Sequence, residues 1–130
     1  MLTRVARDAS DYLERNYDVA VAEVTRNRNE ALAKRKAAAA QGDVTAQLAL
    51  GTMYSTGRDL DRDDQKAAMW WRKAAEQVDS NAQLYLASAY AAGRGVQQDD
   101  KEAIAWLERS ADHGNAPADS ARTSRVELKL

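Results

Sequence analysis

Ala46-Gln47-Leu48-Ala49-Leu50-Gly51 is answered 36 residues later (82 − 46) by Ala82-Gln83-Leu84-Tyr85-Leu86-Ala87. The same offset places Tyr54 on Tyr90, Gly57 on Gly93, Asp63-Asp64 on Asp99-Asp100, Ala67 on Ala103, Trp70 on Trp106 and Ala75 on Ala111. A constant period of this size marks supersecondary units stacked one on the next.

Each unit reads as a helical hairpin. Ala46, Leu50, Met53, Tyr54 and Gly57 fall at spacings of three and four, one face of an α-helix. Gly57-Arg58-Asp59-Leu60-Asp61-Arg62 breaks that period. Asp63 or Asp64 then caps a second helix, because a carboxylate accepts from the free N–H groups of a first turn. Ala67, Trp70, Trp71, Ala74 and Ala75 return to helical spacing. The second copy repeats the pattern, with Gly93-Arg94-Gly95-Val96 in its turn and Asp99 or Asp100 at its cap. Ala46, Gly51, Ala67 and Ala74 let backbones approach, and Tyr54 and Trp70 fill what remains. The expected core is Ala46, Leu50, Tyr54, Ala67 and Trp70, then Ala82, Leu86, Tyr90, Ala103 and Trp106. Trp70 and Trp106 are expected to be buried equivalents, and Trp71, beside the core position, to be partly exposed.

These residues resemble the Sel1-like repeat, a relative of the tetratricopeptide repeat. That family's unit has an A-x-x-x-L-G-x-x-Y helix, a G-x-G-V turn, an acidic cap and a second helix carrying K-A-x-x-W and K-A-A-x-x-G. The first copy supplies Ala46, Leu50, Gly51, Tyr54, Gly57, Asp63, Lys66, Ala67, Trp70, Lys73, Ala74 and Ala75. The second supplies Ala82, Leu86, Tyr90, Gly93, Gly95, Val96, Asp99, Ala103, Trp106, Ala111 and Gly114. The resemblance implies an all-α fold, a right-handed α-solenoid of stacked antiparallel hairpins. The expected array spans residues 30–121: a degenerate half-repeat at 30–43, repeats at 44–79 and 80–115, and the start of a third unit at 116–124.

Three departures carry expectations. Val78 stands where the family has a glycine closing the second helix. A β-branched residue resists the left-handed conformation, so an altered helix end is expected around Gln77–Ser80. Asp59 replaces the second turn glycine, and Asp tolerates that conformation better than most residues. Ala87 replaces the glycine matching Gly51, which predicts a slightly wider second hairpin.

Outside the two copies the pattern weakens. Residues 1–29 read as an N-terminal helical extension, one amphipathic helix or a hairpin. Its apolar positions include Tyr12, Leu13, Tyr17, Val21 and Val24, and it breaks at Thr25–Asn29. Two roles are open for it: a cap over the end of the stack, which repeat arrays need, or a surface that joins a partner or a second copy in a homo-oligomer. Residues 30–41 return to register, with Ala31 matching Ala67 and Ala38-Ala39 matching Ala74-Ala75, but Lys34 stands in place of the tryptophan. At the other end Pro117 suits a first helical turn. The helix is expected to reach about Ser124, and the tail at 125–130 alternates polar and apolar residues, as a strand or a flexible end would.

Composition narrows the function. In 130 residues there are no cysteines, one histidine and a net charge of −1. Disulfides and thiolate metal sites are excluded, and no global field favours nucleic acid. No run of residues is apolar enough for a membrane span. The first residues lack an apolar leader core, so the expected compartment is the cytoplasm, or the periplasm if a leader has been removed. His113 sits at a helix end, where a capping role suits it. Asp59-Leu60-Asp61-Arg62-Asp63-Asp64 alternates carboxylates as a calcium loop does, but lacks the glycine and glutamate such a loop uses. Gly93-Arg94-Gly95 is too short for a phosphate loop. No catalytic, cofactor or metal residues are expected.

The expected function is therefore a non-catalytic interaction module. The first helix of each pair would line the inner surface of the stack, presenting Leu48, Thr52 and Ser55, and then Leu84, Ser88 and Ala91, to a protein or peptide. The resemblance implies an adaptor, a secretion-linked factor or a bacterial immunity protein. It also implies an alternative, a hydrolase of the β-lactamase-like Sel1 type, although those relatives are cysteine-rich and this chain has none.

Overall fold

Asp43, Asp79 and Asn115 stand 36 residues apart, and each does the same work. Their side-chain oxygens accept from the backbone N–H of Ala46, Ala82 and Ala118 at 2.9, 2.8 and 3.0 Å. Each cap opens a helix by satisfying a donor that has no partner within the first turn. Asp63 and Asp99 do likewise for the second helix of each pair, bonding Lys66 N–H at 3.1 Å and Lys101 N–H at 3.0 Å. So the first aspartate of each acidic pair is the cap.

The structure is a computed structural model that describes residues 2–129, with side chains for residues 8–124. Among the described residues all regular structure is helical: α1 (Leu2–Ala40), α2 (Val44–Thr56), α3 (Asp64–Glu76), α4 (Ser80–Ala92), α5 (Asp100–Asp112) and α6 (Ala116–Lys129). The packing separates two units, Met1–Lys34 and Arg35–Leu130. In the second, α2 packs on α3, α3 on α4, α4 on α5 and α5 on α6, an α-solenoid of antiparallel hairpins. Its core contains Ala67, Trp71, Ala74, Ala82, Leu86, Ala87 and Trp106, with Leu50 and Leu86 wholly enclosed.

Two expectations about the ends of the chain give way. The backbone stays helical through Thr25–Asn29, because nothing there removes a donor or demands a positive φ, so α1 runs unbroken to Ala40. Likewise α6 continues past Ser124 to Lys129 rather than turning to strand; Leu130 lies outside the described residues. In the first unit Ala31 and Lys34 are exposed.

The helix end at Val78 also differs from expectation. Val78 adopts the left-handed conformation after all, with φ 70°, like Gly42 at 101° and Gly114 at 85°. All three ends carry the same paired bonds. Val78 N–H reaches Ala75 C=O at 3.0 Å and Asp79 N–H reaches Ala74 C=O at 3.2 Å; Gly114 to Ala111 and Asn115 to Ser110 measure 3.0 and 3.1 Å. The geometry of the repeat overrides the residue's preference, and Val78 bears the strain, since a β-branched side chain is a poor fit at positive φ. Asp59 is left-handed too, at φ 60°.

Candidate functional site

The tryptophans exchange places relative to expectation. Trp71 is buried and Trp70 only half-buried, with Lys73 Nζ 4.7 Å from the Trp70 ring centroid. Trp106 is buried beneath Arg109, 4.5 Å away. The cause is on the facing helix. Gly51 has no side chain, and the indole of Trp71 occupies the place where a Cβ would be, its Cγ 3.0 Å from that position. Trp71 also meets Tyr85 of α4, ring centroids 5.4 Å apart and tilted by 39°. Tyr54 and Tyr90 are half-buried, each beside a cation: Lys66 lies over Tyr54, while Arg72 lies over Tyr90 and donates to its hydroxyl.

A buried polar ladder joins successive units, and its glutamines carried no signal in the apolar pattern. Gln47 and Gln83 are 4% and 2% exposed. Gln47 Nε2 donates to Ala39 C=O at 3.0 Å, and Gln83 Nε2 to Ala75 C=O at 3.2 Å. Their oxygens face Gln77 Nε2 at 2.9 Å and His113 Nδ1 at 3.3 Å. His113 Nδ1 also lies 2.7 Å from Arg109 C=O. Both neighbours of Nδ1 are acceptors, so this nitrogen carries the hydrogen. His113 thus closes the end of α5 and ties it to α4. Only their 36-residue repetition marks these glutamines in the sequence.

The acidic turns are structural too. Arg62 grips Asp64 through two bonds of 3.3 and 3.1 Å, which raise the pKa of its guanidinium. Arg122 joins Asp112 of α5 to Asp119 of α6 at 2.6 Å each, again with a raised pKa. Gly95 seats the second turn on the start of α3, where a Cβ would overlap the Asp64 carbonyl. Among the described residues no three His, Cys, Asp or Glu side chains gather as metal ligands.

Five of the six residues expected to meet a partner fall into two grooves. Leu48 and Thr52 line one of about 460 Å³, together with Arg35, Met53, Arg58 and Tyr85. Leu84, Ser88 and Ala91 line another of about 420 Å³, with Ala103, Ile104 and Leu107 of α5 across from them. Ser55, half-buried, lines neither. Leu48 is half-buried and packs against the core, whereas Thr52, Ser88 and Ala91 are exposed.

The family model for the Sel1 repeat matches residues 44–79 and 80–115. The chain belongs to the Sel1 repeat family. Sel1 repeats are generally protein-interaction modules and scaffolds without catalysis. A Sel1 repeat protein from Oxalobacter formigenes is 39% identical, with a TM-score of 0.67; the match covers 69% of this chain and 26% of that one. A protective antigen present in uropathogenic Escherichia coli strains, which displays an SLR fold, is 29% identical with a TM-score of 0.66, over 82% of this chain and 25% of that one. This chain therefore spans about a quarter of the length of either. Helicobacter pylori cysteine-rich protein B shares the fold at 20% identity, with a TM-score of 0.69 over 93% and 97% of the two chains. Among curated protein sequences none matches. No helix of this Sel1 repeat protein among the described residues is long and apolar enough to cross a membrane.

Proposed function

We propose that this Sel1 repeat chain is an adaptor that grips a protein or peptide partner through the exposed face of its first-position helices, centred on Leu84, Ser88 and Ala91. The observation that carries the reading is the groove of about 420 Å³ on that face of the second unit, walled largely by aliphatic side chains. Apolar surface held open by a rigid frame gains free energy when a partner removes it from water. The partner belongs to the adaptor, secretion or immunity setting that the family resemblance suggests. The test is affinity capture from the source cell with the wild-type chain and with Ser88→Arg and Ala91→Arg. Both positions are exposed, so the variants should melt like wild type. A specific protein retained by wild type and lost by both variants supports the reading; equal retention by all three overturns it.

A second surface favours self-association. In the first unit Tyr12, Leu13, Tyr17, Val19, Val21 and Val24 are 45–66% exposed. Leu13, Tyr17, Val21 and Val24 follow one helical stripe. From Asp8 to Glu23 the charges are acidic except for Arg15, and from Arg26 to Lys34 they are basic except for Glu30. A second copy laid antiparallel would cover the stripe and set opposite charges together. Light scattering should then give a dimer mass, reduced to the monomer by Tyr17→Asp with Val24→Asp; a monomeric wild type excludes this arrangement.

A further inference from the structure

The groove beside Leu84 lies where the preceding unit, at the 36-residue offset, holds side chains of its own, and that comparison assigns an occupant. The groove beside Leu84 has walls from Ala87, Leu107 and Ala121. The equivalent positions one repeat earlier are Gly51, Trp71 and Tyr85. There the indole lies on Gly51 and the phenol ring packs against the indole. Two aromatic rings supplied by the chain stand in that place, and Tyr85 also borders the separate groove beside Leu48. In the next unit Leu107 replaces the indole and Ala121 the phenol, and the cavity opens.

The missing bulk can be counted from the residues. Passing from Trp71 to Leu107 and from Tyr85 to Ala121 removes thirteen side-chain non-hydrogen atoms. Thr52 to Ser88 and Ser55 to Ala91 remove one each, and Ala68 to Ile104 and Gly51 to Ala87 restore four, for a deficit of eleven. A tryptophan side chain has ten. The lining that remains is aliphatic, apart from the Ser88 hydroxyl and the Asp100 carboxylate, two oxygens that can accept from an indole N–H.

We propose that the groove between α4, α5 and α6 receives a tryptophan side chain from the partner, which restores in trans the aromatic packing that Trp71 and Tyr85 provide in cis. The assignment rests on the partner-binding reading of this face and names its anchor. Aromatic anchors seated in preformed apolar pockets carry much of the affinity of protein interfaces, and a rigid ring loses little rotamer freedom on entering.

The test uses the full chain and N-acetyl-tryptophanamide as probe, followed by backbone amide NMR. Wild type should show saturable shifts confined to α4, α5 and α6 near Ala87, Leu107 and Ala121. Ala121→Tyr restores the native filling of the preceding unit and should weaken the probe by about tenfold or more while raising the melting temperature. Should Ala121→Tyr not fold, Leu107→Trp fills the space from the opposite wall and is read the same way. Absence of saturable shifts in wild type, or unchanged probe affinity in the folded filled variant, overturns the proposal. Partner capture separates the two readings: a partner lost by Ser88→Arg but kept by Ala121→Tyr leaves the docking face standing and removes the tryptophan anchor.

Discussion

The indole of Trp71 lies on the backbone of Gly51, in the space a side chain at that position would take. One repeat later the pair is Ala87 and Leu107, in which a methyl group faces a smaller partner. Glycine and tryptophan therefore form one packing unit, and alanine and leucine form its substitute. Gly51→Ala should cost about 1–3 kcal/mol, the usual penalty of overpacking. Adding Trp71→Leu should recover part of that loss. A double-mutant cycle by chemical denaturation reads the coupling; additive effects of the two changes would show that the indole does not depend on the glycine.

Val78 holds a left-handed backbone that its two neighbours in register hold with glycine. Left-handed residues with a Cβ are penalised by about 1–2 kcal/mol. Val78 is also 53% exposed, so little packing is lost with its side chain. Val78→Gly should stabilise the array by about 1 kcal/mol, once the greater freedom of glycine in the unfolded chain is set against the strain relieved. A thermal melt displaced upward by several degrees is the expected outcome. A lower melting temperature would mean that Val78 contributes packing that its exposure conceals.

Gln83 is enclosed between the Ala75 carbonyl and His113. Gln83→Glu keeps the shape but sets an oxygen against that carbonyl. When ionised, this buried carboxylate lacks a donor on one side, which should cost about 2 kcal/mol or more. Burial raises the folded-state pKa of such a group above its unfolded value. The folded chain then binds more protons than the unfolded one between those two values, and stability falls as pH rises through the window. Denaturation of the variant at pH 4 and pH 8 should show the loss chiefly at pH 8. A pH-independent deficit would place the residue in contact with water.

The period, the helical hairpins and the acidic caps of the second helices were legible in the sequence, because caps, spacings and turn residues act within a few positions of the chain. The bond geometry at Val78 was not, since three helix ends in identical surroundings force one conformation whatever the local preference. Nor could the sequence choose between Trp70 and Trp71. Neighbours in a helix lie 100° apart, and only the helix opposite, with its bare glycine, decides which of them is buried. Residues 36 apart read as equivalents in the sequence. Tertiary packing gave the two units grooves with different walls, because the space between two helices depends on both sides at once.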